Sequence, residues 1–170
     1  MGRTYRAIIA CCIPLVLAAC AAARTDALES QSKQKDARLA RLYFIRPGGW
    51  MAQGGTIGIK VNGQNVGGIA HGSYLFVDRP SGTYTLTVVP PFDWGNFETD
   101  VRVAAGTTYY YAIAVKPSAV PLAGGGVVAL SQSNPGTPTQ NKSGNIFTTF
   151  RLNALDSATG AAAIANLKAQ

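Results

Sequence analysis

Three thiols, one imidazole and a scatter of carboxylates are the groups in this chain that could do chemistry, and their spacing decides how much. Cys11 and Cys12 lie inside an apolar run, and Cys20 closes it behind Leu17-Ala18-Ala19. A thiol just after small residues at the end of such a run sits where an exported chain is processed. His71 is the single histidine, so any proton-transfer pair has to run through it. Ser73 stands two residues on and would share its side only in extended backbone, with no third group to orient the imidazole. Asp78, Asp93, Asp100 and Asp156 are spread without the spacing of a calcium loop or a carboxylate pair. Gly124-Gly125-Gly126 offers backbone amides to an anion but lacks the strand-to-helix frame of a phosphate loop. These residues predict a protein that is not an enzyme and holds neither metal nor cofactor.

The elements around Cys20 carry the clearest signal. Arg3 and Arg6 form a basic start without acidic residues, and Ala7 to Ala19 is apolar apart from cysteine sulfur and Pro14. A transmembrane helix needs roughly 20 apolar residues, more than this run offers. An ordinary signal peptide is the other alternative. The arrangement resembles the bacterial lipobox, with Leu17, Ala18 and Ala19 before Cys20. That resemblance implies that residues 1–19 are a signal peptide, that Cys20 takes a diacylglyceryl group and becomes the first residue, and that its amine receives a further acyl chain such as palmitate. Two or more chains on one cysteine make stable anchoring to a membrane. Ala21 stands where an aspartate would retain a lipoprotein at the inner membrane. The expected location is therefore the cell envelope, lipid-anchored to the outer membrane, with the domain facing the periplasm.

The charge balance is basic: fifteen Lys and Arg face eight Asp and Glu, and without Arg3 and Arg6 the side chains still sum to +5. The one dense basic group is Lys33, Lys35, Arg38 and Arg41. Contact with anionic head groups and a merely solvated linker are both open readings of it. No basic strip is interleaved with aromatics as in nucleic-acid modules, so no nucleic-acid partner is expected. With all three cysteines at or before position 20, the folded part has no disulfide or cysteine metal site. Its stability must come from packing.

Residues 20–37 are small, polar and charged and read as a lipid-anchored tether. The seventeen flexible residues after Cys20 reach about 20 to 25 Å, although the composition would also allow a short helix over 28–41. From residue 38 to 152 the pattern is that of strands. Ala40 to Arg46 ends at Pro47-Gly48-Gly49; Ile57, Ile59 and Val61 alternate with Gly58, Lys60 and Asn62; and Asn62-Gly63 turns the chain. Val66 to Ile69 and Ser73 to Val77 follow, then a tight connection at Asp78-Arg79-Pro80-Ser81-Gly82. Tyr84, Leu86 and Val88 alternate with threonines, and Phe97, Thr99, Val101 and Val103 with Glu98, Asp100 and Arg102. Thr108 to Val115 is apolar on both faces and is expected in the centre of a sheet. Residues 116–145 are rich in Gly, Pro, Ser and Thr, with Val127 to Leu130 the one strand candidate there, before a last strand at Ile146 to Leu152. In the tail, 153–170, Ala161 to Lys168 could form one or two helical turns. Short strands, regular turns and no long amphipathic helix predict an all-β antiparallel β-sandwich of about seven to eight strands.

Leu42-Tyr43-Phe44-Ile45-Arg46-Pro47, Val61-Asn62-Gly63, Gly72-Ser73-Tyr74, Val77 to Leu86 and Gly106-Thr107-Thr108-Tyr109-Tyr110 together resemble the bacterial lipoprotein family carrying domain of unknown function 2846. The resemblance covers roughly residues 38–152 and implies a small sandwich, similar to carboxypeptidase-regulatory-like and PEGA-type modules, without assigned catalysis. The segment 116–145 departs from the family pattern.

If strands run up and down, the connections 47–56, 70–72, 90–96 and 116–126 share one end, and 62–63, 80–82 and 104–106 the other. The first end collects Trp50, His71, Phe92 and Trp94 as an expected surface for a ligand or partner. The competing reading is a lid of aromatics over the core. Two functions follow as expectations. One is a lipid-anchored, non-catalytic binding or adaptor module that meets an envelope protein or glycan. The alternative is an envelope structural subunit assembling through an exposed strand edge or the Gly/Pro-rich segment.

Overall fold

The computed structural model describes residues 28–48, 55–91, 95–115, 118–121, 127–130, 136–145 and 148–170. The signal, Cys20 and most of the tether lie outside them. The chain builds a sandwich of a six-stranded and a four-stranded sheet from β1 (Ala40–Arg46), β2 (Ile57–Val61), β3 (Gln64–Ile69), β4 (Ser73–Arg79), β5 (Gly82–Val89), β6 (Phe97–Val103), β7 (Thr108–Val115), β10 (Thr137–Pro138), β11 (Phe150–Leu155) and β12 (Lys168–Ala169). A separate two-stranded ribbon is formed by β8 (Ser118–Pro121) and β9 (Val127–Leu130). The larger sheet runs β10-β11-β7-β1-β4-β12 and the smaller β3-β2-β5-β6.

The alternation in the sequence maps onto these layers. Leu42 and Phe44 of β1, Leu75 and Val77 of β4, Tyr111 and Ile113 of β7 and Leu152 of β11 meet Ile57, Ile59, Leu86, Val88 and Phe97 of the smaller sheet in one core. Full burial of side chains of this size contributes roughly 1.5 to 3 kcal/mol each. Asn62 at φ 50° and Gly63 at φ 77° make the tight turn between β2 and β3, the backbone an Asn-Gly hairpin requires. β7 lies inside the sheet between β11 and β1, as its two apolar faces require.

Among the described residues two pairings are parallel: β1 with β7, in the register Tyr43 opposite Tyr110, and β12 with β4. Parallel neighbours need a long connection between them. For β1 and β7 the whole four-stranded sheet, together with β4, supplies it. The last main strand starts at Phe150 rather than Ile146, and the tail helix, α1, spans Ser157–Ala165, ahead of the expected Ala161 to Lys168. Asp156 caps it, its carboxylate accepting from the Thr159 N–H at 2.9 Å, and that bond holds the Asp156 carboxyl below its ordinary range. α1 packs on the outer face of β7 through Gly160, where a Cβ would come within 2.2 Å of the Tyr110 ring.

No helix forms over 28–39; the segment carries turns and lies along the larger sheet. Its basic group is used internally. Lys35 donates to the Gly106 carbonyl and to Thr108 Oγ1, and Arg38 pairs with Asp36, whose carboxyl is lowered to about 2 by that guanidinium. Arg41 binds Asp78 through two bonds of 2.8 Å, with both side chains less than a tenth exposed. Asp78 thus belongs to β4 and the sheet, not to the connection that follows it.

Candidate functional site

β1, β4 and β7 place the long connections where the up-and-down pattern puts them. Arg46 ends β1 opposite Ser73, which starts β4, so residues 47–48 and 70–72 leave the sheet side by side. A Cβ on Gly48 would lie 4.0 Å from the His71 ring, and one on Gly55 only 2.7 Å from Pro91. The connections beginning at 47, 70 and 90 therefore converge on one end of the sandwich. At the other end Tyr84 donates to the Pro80 carbonyl and Gly106 to the Leu39 carbonyl, beside the point where the chain enters β1.

Arg46 holds the loop end together. It shares its side of β1 with Leu42 and Phe44 and is 4% exposed. Its Nη1 donates to the carbonyls of Gly55 at 2.7 Å and Ile69 at 3.0 Å, which ties the connection after β1 to the end of β3. Burial pulls its pKa down from the ordinary guanidinium value. Ser73 donates its single hydroxyl proton to the Ala70 carbonyl at 2.6 Å, closing the turn that carries His71. A second support lies beside it: Ser143 donates to the Asn96 carbonyl, Asn141 Oδ1 accepts from the Glu98 N–H, and the Lys142 N–H reaches the Glu98 carbonyl at 2.8 Å. These bonds fasten residues 141–143 to the start of β6.

Of the residues expected to form a ligand surface, His71 is placed at this end. Trp50, Phe92 and Trp94 fall outside the described residues, as do Leu17, Ala18, Ala19 and Cys20. Among the described residues no group of three or more His, Cys, Asp or Glu side chains could hold a metal. No described helix is long and apolar enough to cross a membrane. Arg46 was not singled out from sequence, although a lone arginine at the inward position of an apolar strand is a signal for a buried, carbonyl-bonded cation. Arg41 and Asp78 escaped for a related reason: each looks like a strand-end charge until the register sets them opposite one another.

No curated protein and no solved structure matches the chain. A family model described as "Protein of unknown function (DUF2846)" matches residues 36–127. The match opens just before β1 and ends inside the Gly/Pro-rich segment, so it spans both sheets from β1 to β7 but not β11 or the tail helix. Since it covers more than half of the sequence, the chain belongs to the DUF2846 family of proteins of unknown function.

Proposed function

We propose that this protein is a lipid-anchored module of the bacterial cell envelope that binds a partner or glycan without catalysis, presenting its loop end away from the membrane. One observation carries the reading. Three connections meet at one end of the sandwich, where the buried Arg46 ties the one after β1 to the end of β3, while the chain enters β1 at the opposite end. Loops fixed on a rigid scaffold are the usual place for binding residues, and these loops carry Trp50, His71, Phe92 and Trp94. The anchor at Cys20, the outer membrane and the periplasmic orientation rest on the lipobox resemblance. The alternative, a structural subunit assembling by strand addition, finds less support at β4, where a full-length added strand would have to displace β12 as well as the contacts of Glu29 and Gln31.

Two variants test the proposal. Cys20→Ser should move the protein from membrane to soluble fractions of the cell, and continued sedimentation with membranes would sink the anchor. Trp50→Ala with Trp94→Ala should leave the melting temperature nearly unchanged while abolishing capture of purified envelope glycans or of a partner from detergent-solubilised envelope. Large destabilisation with capture intact makes the aromatics a lid.

A further inference from the structure

The free edge of β4 is closed in an unusual way. Beside Ser73 and Tyr74 the neighbour is a strand, β12, and the Gln170 N–H reaches the Tyr74 carbonyl at 3.0 Å. At Phe76 the neighbour is a side chain: Gln31 Oε1 accepts from the Phe76 N–H at 2.7 Å, and Gln31 Nε2 donates to the Phe76 carbonyl at 3.1 Å. A primary amide here offers the donor and acceptor that a residue of an added strand would offer. At Asp78 the neighbour is an ion pair. Glu29 accepts from the Asp78 N–H at 3.3 Å and from Arg79 Nη1, and Arg79 Nη1 also covers the Asp78 carbonyl at 2.8 Å. Apart from the Asp78 carbonyl, which Arg79 of β4 itself covers, the outward groups of residues 76 and 78 are thus satisfied by side chains of a segment that has no strand of its own.

We propose that the β4 edge over Phe76–Arg79 is a docking site for an acidic, extended peptide segment of a partner protein, with Glu29-Ser30-Gln31 seated in it as a built-in competitor. The chemistry of the seat defines the occupant. Arg79 and the Asp78 N–H form a two-donor seat for a carboxylate, and the Phe76 backbone takes an amide two residues further on. Lys33, with its side chain half exposed and 3.9 Å from Asp78, adds positive charge on the flank. Electrostatic complementarity of this kind favours acidic partners. The seat lies apart from the loop end, so its failure leaves the function proposed above untouched. A peptide entering along the line of β12 needs to displace only residues 29–31, because β12 ends before Phe76. A cis competitor acts at an effective concentration in the millimolar range, so it holds the site shut against weak ligands and yields to a tight one.

The probe is a fluorescein-labelled, end-blocked peptide with the sequence of residues 28–32, in which Glu29 is the one charged side chain, titrated by anisotropy onto the full mature chain. E29A/Q31A should bind it at least about tenfold more tightly than wild type, because the cis competitor is gone. Adding Arg79→Ala to that variant should abolish binding, as should alanine at the Glu and Gln positions of the peptide. Hydrogen exchange on the same samples should show the Phe76 and Asp78 amides opened in E29A/Q31A and protected again by the peptide. If E29A/Q31A is poorly folded by circular dichroism, Gln31→Ala alone is to give the same pattern at Phe76. A folded variant that binds no better than wild type, that binds the alanine peptide equally well, or whose two amides stay protected without peptide overturns the proposal. So does stronger capture of E29A/Q31A by phosphatidylglycerol vesicles than by the peptide. A wild-type dimer that E29A/Q31A dissolves would make a second copy's segment the occupant and overturn the partner assignment.

Discussion

The outer faces of the two sheets are treated in opposite ways. On the larger sheet, Arg41, Phe76, Asp78, Ala112, Ala114 and Asn153 are all less than a tenth exposed although they point away from the core. Tyr43 lies between Tyr110, stacked at 5.2 Å, and Phe76, tilted at 5.4 Å, and the Arg41 guanidinium sits 3.9 Å over the Phe76 ring. α1 packs on this face, Lys33 and Lys35 reach Asp78 and Thr108 on it, and residues 29–31 run along its β4 edge. On the smaller sheet the outward row is Lys60, Thr83, Thr85, Thr87, Glu98, Asp100 and Arg102; Thr87, between Lys60 and Glu98, is buried, but the charges of the row meet water, with Lys142 paired to Asp100 at the surface. The difference teaches that this sandwich is three layers deep on one side: the flanks of the domain are structural on the larger sheet, and the smaller sheet is the half-solvated layer that the alternation implies.

The contrast can be broken most severely at the buried ion pair. Asp78→Ala leaves Arg41 buried without its carboxylate, a change that typically costs about 3 to 5 kcal/mol. Urea denaturation should show a loss of that size, and a change below about 1 kcal/mol would mean that residues 28–39 do not seal this face. Gly160→Ala is a smaller blow. The added methyl gains up to about 1 kcal/mol of helix propensity but meets Tyr110 near the ring's attachment, where the side chain cannot swing away, at a cost of about 1 to 3 kcal/mol. The clash wins, so a net destabilisation of up to about 2 kcal/mol is expected; a stabilised variant would show that α1 is not pressed on β7. Arg102→Ala on the open face should change stability by less than about 0.5 kcal/mol in the same assay. A larger loss there would erase the distinction between the two faces.

The elements were legible where local pattern and local geometry agree. β2, β6 and β7 fall where alternation places them, the Asn62-Gly63 turn where its residue types demand a positive φ, and the long connections at the end where strand parity puts them. Residues 28–39 were misread because composition says only that a segment is polar. It cannot say that Gln31 will meet a backbone amide 45 positions away. The tail helix was displaced by several residues because Asp156, the cap that starts it, gains its meaning only once β11 has ended at Leu155. For the candidate site the sequence supplied His71 and its shared end, and the fold added Arg46.

Sequence by itself determined the strand and turn order and the inward rows, because side chains alternate at period two and a glycine or Asn-Gly pair admits turns that other residues resist. It also determined the basic, cysteine-free character of everything after Cys20. Tertiary structure alone decided that β1 and β7 run parallel, that Arg41 finds Asp78 37 residues away, and that the edge of β4 is closed by Glu29, Gln31 and β12. The reason is common to all three. Each joins groups distant in the chain, and the benefit of a long-range contact appears only after the sheets between them have paid the entropy of bringing the ends together.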